Sequence, residues 1–254
     1  MERIRRIVTD TIKDPDTAAK LTPWFTSWCK RPVFHDYYYE VFNQPNVHLV
    51  DDEKGVSKVT PTGFVANDTE YPVDVIIWAT GYRGPFVGFP EERAGMEIIG
   101  RGGRHLDDKW RENVATLHAS MTEGFPNLLL MGLFQGGMTL SHSTVMDCMA
   151  KHEAYIAQQA RERAGGKDFS VEPTTEAEES WSQEVIRYSL PSAALGGCTP
   201  NLYNNEGAID RLPHELKMKM ARGGPYGGGF GQFSDAMEAW RKEGSLRGLR
   251  IDVA

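Results

Sequence analysis

Two adjacent cations, Lys30 and Arg31, stand inside an unusually aromatic stretch that runs from residue 24 to residue 39. Its aromatic residues are Trp24, Phe25, Trp28, Phe34, Tyr37, Tyr38 and Tyr39. A packed corner with two solvated cations would explain this pattern. The functional alternative is an anion site, in which Lys30 binds phosphate and Arg31 stabilises a developing negative charge. Arginine suits that role because its guanidinium stays protonated and presents a fixed fork of donors.

A second candidate site follows an apolar run, residues 73–78, that is bounded by Pro72 and Gly81. The run is rich in β-branched residues, which predicts a buried strand of a parallel sheet. It leads into Ala79, Thr80 and Gly81. Small residues there would let a ligand approach the backbone at the carboxyl end of a strand, where open α/β sheets bind ligands. A core strand followed by an ordinary turn fits the same pattern.

A third candidate site is the loop that follows residues 124–132, where Phe-Pro-Asn-Leu leads into an apolar predicted strand. The loop contains Gln135 and Gly136, and its flexibility would let main-chain amides meet the edge of a ligand. Ser141 lies near the start of a predicted helix, residues 143–163, whose N-terminus would favour an anionic or electron-rich group. Ser141 has neither a nucleophile elbow nor an orienting acid nearby.

Several runs of residues together resemble the Baeyer–Villiger monooxygenases. They are Cys29-Lys30-Arg31-Pro32, His35-Asp36-x-Tyr38, and Phe42-Asn43-x-Pro45-Asn46-Val47-x-Leu49-Val50-Asp51. The segment from Asp74 to Tyr82 is similar to the return strand of two-dinucleotide flavoproteins. The resemblance continues through residues 106–119, with Ala119 where many relatives have glycine, and through the residues 124–132 and 198–207. It covers nearly the whole chain in order.

The resemblance implies a role for each matching position. Arg31 would be the catalytic arginine beside the flavin, and Lys30 would contact NADP. The other cofactor-binding residues that it implies are Thr80, Gly81, Gln135, Gly136, Ser141, Tyr203 and Asn204. The implied cofactors are therefore FAD and NADP.

The implied fold is α/β, a partial two-dinucleotide-binding-domain flavoprotein fold. Residues 1–78 would be the C-terminal part of the NADP-binding domain, with a β-meander and the return strand. Residues 79–254 would be the C-terminal part of the FAD-binding domain, with a helical C-terminal region. Both GxGxxG phosphate loops are absent from the sequence, and the glycine run at 223–231 lacks their spacing. The chain thus corresponds roughly to the C-terminal half of such an enzyme.

The composition excludes several other classes of protein. A formal charge of −7 and the lack of long basic runs argue against a nucleic-acid binder. No apolar stretch could span a bilayer, and the N-terminus has no signal-peptide core, which predicts a cytoplasmic protein. No Cys-x-x-Cys pair is present, and no His, Asp or Glu set has metal-ligand spacing, so we expect no metal.

The implied reaction is an FAD- and NADPH-dependent insertion of one oxygen atom of O2 next to a ketone carbonyl, which gives an ester or lactone. The aromatic stretch and the loop at 133–142 favour an apolar ketone. One alternative is a related flavin monooxygenase that oxygenates nitrogen or sulfur, and another is a non-catalytic fragment. The implied protein partner is the missing N-terminal half or a second copy of the chain.

Overall fold

The computed structural model describes residues 1–26, 29–30, 33–81, 88–132, 134–139, 141–189, 198–201, 204 and 207–253. They divide into two compact units, residues 1–83 and 84–254. The sequence predicted a boundary after residue 78, and the assignment of the two parts to an NADP-binding and an FAD-binding domain stays a prediction.

The first unit begins with two short helices, α1 (Glu2–Thr11) and α2 (Pro15–Leu21). The Asp14 carboxylate caps α2, because it accepts a hydrogen bond from the Thr17 N–H at 2.8 Å, as the sequence predicted. A small core joins the helices and a 3₁₀ turn, Tyr39–Asn43. Its members are Val8, Ile12 and Ala18, with Leu21 and Tyr39 at its edge.

A three-stranded antiparallel meander follows, in the order β1 (Lys58–Thr60), β2 (Gly63–Ala66) and β3 (Thr69–Pro72). Asn67 and Asp68 form the second turn with φ of 48° and 56°, which asparagine and aspartate tolerate better than other side chains do. The meander confirms the prediction for this segment.

The predicted parallel strand at residues 73–78 is not formed. These residues have no regular structure, and Val75, Ile77 and Trp78 are 75%, 85% and 62% exposed. No strand lies beside them within the described part of the chain. An apolar run is stable as a central strand only when neighbouring strands pair with it and helices cover it. The predicted strand at residues 46–50 is likewise irregular.

The second unit is mainly helical. Its helices are α3 (Pro90–Ala94), α4 (Leu106–Glu112), α5 (His142–Arg163), α6 (Thr175–Arg187), α7 (His214–Gly223) and α8 (Gly229–Glu243), and 3₁₀ turns occupy Arg101–Gly103 and Ile209–Arg211. Strands β4 (Phe169–Pro173) and β5 (Leu249–Val253) pair antiparallel, with Val171 opposite Ile251. The described chain is therefore mixed α/β, but both of its sheets are antiparallel.

The ends of the long helices lie at the residues where the sequence favours them. Helix α5 confirms the prediction for residues 143–163, and α8 ends at Gly244, whose φ of 77° is left-handed. Thr175 and Glu178 have the spacing of a capping box at the start of α6, but these two residues do not form one. Thr174 is the cap, and it accepts from the Ala177 N–H at 3.2 Å.

Glu178 instead joins a buried ion pair with Lys109 of α4, with Nζ and Oε1 2.8 Å apart. Lys109 also donates to the Glu123 carbonyl, and the Glu123 N–H donates to the Glu178 carboxylate. Burial raises the pKa of Glu178, and the charge of Lys109 opposes that shift. The pair fastens α4, α6 and the turn at residue 123 to one another.

Helices α5, α6 and α8 share the main core. Its largest fully buried side chains are Met149, Val185, Phe233 and Met237. A second cluster lies beneath β4 and β5, and a third surrounds Trp110 and Phe134, whose ring centroids are 5.0 Å apart. No helix among the described residues is long and apolar enough to cross a membrane.

Two histidines are buried within this helical unit. His118 Nδ1 lies 3.1 Å from His152 Nε2, and Arg241 Nη1 lies 3.4 Å from His152 Nδ1. Because arginine can only donate, His152 carries its proton on Nε2 and donates it to His118. Burial is the main cause that lowers the pKa of His118 well below 6.5 and that of His152 to about 3. Burial raises the pKa of Glu153 to about 6.

Two glycines lie where a side chain has no room. A Cβ on Gly136 would be 2.7 Å from the Gly132 carbonyl oxygen and 3.3 Å from the Ala119 Cβ. A Cβ on Gly137 would be 2.7 Å from a ring carbon of Phe233. Residues 136–137 therefore run directly over the main core, and only glycine allows that approach.

We expect the chain to lose stability as the pH falls below about 6.5, because the unfolded histidines bind protons there and the buried pair does not. Each neutral histidine contributes a slope of up to about 1.4 kcal/mol per pH unit until its folded pKa is reached. Glu153 opposes this loss from about pH 6 to 4.5, because its folded pKa of about 6 exceeds its ordinary value of 4.5. Urea unfolding followed by tryptophan fluorescence measures the slope.

His152→Gln should make that slope shallower between pH 6.5 and 5, and Glu153→Gln should make it steeper. The exposed Gln158 of α5 supplies the control, since Gln158→Ala removes no titrating group and should leave the slope unchanged. An equal slope in the wild type and in His152→Gln would contradict this assignment.

Gly136→Ala should lower the free energy of unfolding by about 1–3 kcal/mol, because the new methyl group overlaps a backbone oxygen. Gly231 of α8 is the matched control, since a Cβ there meets nothing within 4 Å. Gly231→Ala should raise the free energy of unfolding by up to about 1 kcal/mol. Chemical denaturation of both variants measures the difference, and equal effects would refute the packing described for Gly136.

Candidate functional site

Two predicted site residues, Arg31 and Tyr203, lie outside the described residues, and their roles stay predictions. The aromatic stretch around Lys30 is largely exposed. Trp24 and Phe34 are 76% and 78% exposed, and Lys30 itself is accessible to solvent. Among the described residues of this stretch, Trp24 and Phe34 are therefore not packed in the corner that the sequence allowed. Several exposed aromatic side chains in one short stretch are typical of a binding surface.

Thr80 and Gly81 are also exposed. Gly81 has a φ of 85°, in the left-handed region that favours glycine, and a Cβ there would meet nothing within 4 Å. The conformation of the backbone, not crowding, thus explains glycine at this position. Both residues are accessible, as a cofactor contact would require, and that contact stays a prediction.

Backbone strain is concentrated in one part of the second unit. His118, Ala119, Asn127 and Gln135 all have φ between 56° and 61°, although none of them is glycine. The left-handed conformation costs about 1–2 kcal/mol for such residues. It persists only where the surroundings enforce it, and it is frequent at functional sites. We call the turn of residues 117–121, together with residues 128–132 and 134–139, the platform.

Hydrogen bonds on both sides enforce the strained turn of the platform. Across its base the Leu117 N–H donates to the Met121 carbonyl at 2.7 Å. On its outer side the Leu130 N–H donates to the Ser120 carbonyl at 2.7 Å, and the Gly132 N–H donates to the Ala119 carbonyl at 3.2 Å. The turn therefore holds the residues that lead into the candidate loop.

These bonds correct the predicted strand before Gly132. Residues 128–131 lie beside the turn and belong to no sheet. Leu128 and Leu130 pack against the cluster around Trp110, whereas Leu129 and Met131 are 39% and 42% exposed. One face of the segment is thus buried in this chain and the other is open.

Gln135 is fully buried, and its side chain points into the protein. Its Oε1 accepts from the Thr116 N–H at 2.8 Å and from the Thr116 hydroxyl at 2.6 Å. Its Nε2 donates to Ser182 Oγ and to the Arg222 carbonyl, both at 2.9 Å. The Gln135 backbone N–H donates to the Gly224 carbonyl. Neither its amide side chain nor its backbone N–H is left to meet a cofactor.

The accessible part of the platform comes after Gly137. Met138 and Thr139 are exposed, and Ser141 stands at the N-cap position of α5. The Ser141 hydroxyl caps no backbone amide and accepts from the Thr144 hydroxyl at 2.8 Å. Ser141 is exposed and could contact a ligand, as the sequence predicted.

Asn204 is buried and organises its own loop. Its Oδ1 accepts from the Asn201 N–H at 2.8 Å and from the Gly207 N–H at 2.9 Å. Its Nδ2 donates to the carbonyls of Cys198 and Thr199. The Asn204 Nδ2 group is therefore bonded inside the protein and is not free for the predicted NADP contact. Asn204 shapes its own loop instead.

Sequence reasoning missed Thr116, which joins the turn of the platform to Gln135. It is 1% exposed, and its hydroxyl accepts from the Ala119 N–H at 3.1 Å. Its position three residues before Ala119 was the only signal in the sequence. Among the described residues, no group of three or more His, Cys, Asp or Glu side chains could hold a metal ion.

The known proteins that this chain resembles include a ketone monooxygenase and several FAD-binding monooxygenases. No protein-family model matches the chain. The polycyclic ketone monooxygenase of Thermothelomyces thermophilus is 41% identical over 256 residues, which are 98% of this chain and 39% of that protein. The chermesin D/asnovolin J monooxidase of Aspergillus novofumigatus is 40% identical over 260 residues, with the same shares.

Solved structures agree with these relatives. The polycyclic ketone monooxygenase from Thermothelomyces thermophila superposes with a TM-score of 0.90 at 39% identity, over 99% of this chain and 40% of the other. A closed structure of cyclohexanone monooxygenase gives a TM-score of 0.72 at 26% identity, over 99% of this chain and 44% of the other. The chain therefore spans about two fifths of the proteins that it matches.

Over that length, the chain is homologous to the Baeyer–Villiger-type, FAD-binding monooxygenases.

Proposed function

We propose that this chain is the C-terminal portion of a Baeyer–Villiger monooxygenase, which uses FAD and NADPH to insert one oxygen atom of O2 next to a ketone carbonyl. The product is an ester or lactone. The observation that carries the proposal is the 39% identity and TM-score of 0.90 to a polycyclic ketone monooxygenase over 99% of the chain. The whole reaction needs the remaining three fifths of such an enzyme.

The residues fit a flavin in part. Met138, Thr139 and Ser141 are exposed and could face the edge of a planar ring, and the backbone of Gly136 and Gly137 lies close to the core beneath. The 254 residues hold no GxGxxG loop for the phosphates of FAD or NADP. When bound, the flavin would accept a hydride from NADPH and would activate O2.

The assigned roles differ according to accessibility. Thr80, Gly81 and Ser141 are exposed and are proposed cofactor contacts, and Tyr203 is a further proposed contact near NADP. Gly136, which the sequence assigned to the cofactor, is buried, so we propose that it supports the site from below. Gln135 and Asn204 act indirectly, because their side chains are saturated with bonds inside the protein.

Arg31 and Lys30 carry the proposed charge chemistry. Arg31 provides a permanent positive charge for the negative charge that develops on oxygen during insertion. Removal of such a stabilising donor typically slows an enzyme by about a hundredfold to a thousandfold. Lys30 attracts the phosphates of NADP as a point charge. The exposed aromatic residues near this pair favour an apolar ketone.

The remaining part of the enzyme is the proposed protein partner. Ile77 and Trp78 in the first unit are largely exposed, as are Leu129 and Met131 in the second. Apolar exposure in segments that relatives share supports cover by further protein. This chain spans 39% of the relatives' length, so the remaining three fifths of such an enzyme would supply that cover.

A chimera tests the function directly. Residues 1–254 would replace the matching two fifths of the polycyclic ketone monooxygenase. We expect the chimera to bind FAD and to convert an apolar ketone into an ester or lactone with NADPH, measured by product chromatography. Assays with a ketone and a sulfide in parallel separate this function from nitrogen or sulfur oxygenation. A folded, FAD-loaded chimera that forms only sulfoxide would contradict the proposal.

Two substitutions in the chimera test the assigned charges. Arg31→Ala should leave the anaerobic reduction of flavin by NADPH unchanged and should slow ketone oxygenation by about a hundredfold or more. Lys30→Ala should raise the KM for NADPH several-fold, because it removes a phosphate contact.

Arg6, an exposed arginine of α1, supplies the control, since Arg6→Ala should change neither quantity. Normal lactone formation by Arg31→Ala would remove Arg31 from the mechanism.

A further inference from the structure

We propose that Thr116 and Gln135 are positioning residues that fix the shape of the platform. The inference concerns this chain's own fold, and its importance for oxygenation rests on the function proposed above. Neither residue is exposed enough to touch a ligand, since they are 1% and 0% accessible. They act through the backbone that they hold.

Both polar groups of the Gln135 side-chain amide are hydrogen-bonded. A buried amide is costly unless its donors and acceptor are bonded. Gln135 meets this condition with partners from three separate segments, which are Thr116, Ser182 of α6 and Arg222 at the end of α7. It does so while its own backbone is left-handed, with a φ of 61°. The side-chain bonds therefore hold the backbone of the loop in a conformation that it would otherwise avoid.

Thr116 links Gln135 to the strained turn. The Thr116 hydroxyl donates to Gln135 Oε1 at 2.6 Å and accepts from the Ala119 N–H at 3.1 Å. The Ala119 carbonyl in turn accepts from the Gly132 N–H at 3.2 Å. Because Gly132 lies only three residues before Gln135, the bonds form a closed circuit. Both ends of this short segment are fixed to the same turn.

Two further backbone hydrogen bonds extend the circuit toward the accessible residues. The Gln135 N–H donates to the Gly224 carbonyl at 3.1 Å, and the Tyr226 N–H donates to the Gly136 carbonyl at 2.8 Å. Gly136 is held against the Gly132 carbonyl and the Ala119 methyl. The backbone just before Met138 and Ser141 is thus fixed from below, while those residues stay exposed.

Thr116→Val tests the circuit, because valine keeps the shape of threonine and removes the hydroxyl. The measurement is hydrogen exchange of single amides in the 254-residue chain. We expect exchange at Gly132 and Tyr226 to rise about tenfold, as loss of about one hydrogen bond would allow. The Gly132 N–H donates to the carbonyls of Ala119 and Leu130, and the Tyr226 N–H donates to the carbonyl of Gly136, so neither amide bonds to Thr116 itself. Exchange at Ile156, in the core of α5, should not change, and Thr116→Ser should restore the slow exchange.

Gln135→Met tests the other half of the circuit, and Gln158→Met is its matched control. Gln158 is exposed on α5 and bonds only to Glu162 among the described contacts. Gln135→Met should accelerate exchange at Gly132 and Tyr226, and Gln158→Met should not. An equal rise at Ile156 in either variant, or no rise at Gly132, would overturn the positioning role.

The chimera adds a functional readout. Thr116→Val should leave flavin reduction by NADPH unchanged, and it should lower several-fold the fraction of consumed NADPH that appears as oxygenated product. Thr116→Ser should restore that fraction. An unchanged fraction in Thr116→Val would overturn the link to oxygenation. A chimera that does not oxygenate at all would instead refute the proposed function, and exchange in the chain alone would still decide the positioning role.

Discussion

The second unit depends on the pairing of its buried polar groups. Gln135, Thr116 and Glu178 lie in its interior and bond to partners from more than one segment, and His118 is paired there with His152. An unpaired polar group at such depth costs about 1–3 kcal/mol, so the partners must stay together. This requirement holds His118 and Ala119 in left-handed conformations that local sequence preference disfavours. The strained turn is therefore a consequence of the network around it.

The same network gives the platform two unlike faces. Its inner face is closed by bonds and by glycine contacts, whereas Leu129, Met131 and Met138 are open on its outer face. The irregular residues 73–78 of the first unit also expose apolar side chains. In both places the exposed residues belong to segments that the sequence resemblance aligns with the flavoprotein core. The chain spans 39–40% of the length of these relatives, and we propose that further protein covers the exposed segments.

Local signals in the sequence predicted local structure well. The predictions of the β-meander and of helix α5 are confirmed. The cap at Asp14 and the end of α8 at Gly244 follow from the same local residue preferences. Strands at residues 73–78 and 128–131 were wrong, because an apolar run needs neighbouring strands that its own sequence does not reveal. The resemblance identified the family, yet it could not show that the amides of Gln135 and Asn204 turn inward. Those orientations depend on partners up to 87 residues away in the chain.

We propose that this chain contributes part of the wall of a flavin site whose phosphate loops belong to the rest of the enzyme. The most direct test is a flavin titration followed by fluorescence quenching and the visible absorbance of retained FAD after gel filtration. We expect the 254-residue chain alone to retain no FAD. We expect FAD to be retained once the complementary three fifths of the polycyclic ketone monooxygenase is co-expressed with the chain. Tight retention of FAD by the chain alone, or none by the folded complex, would contradict the account.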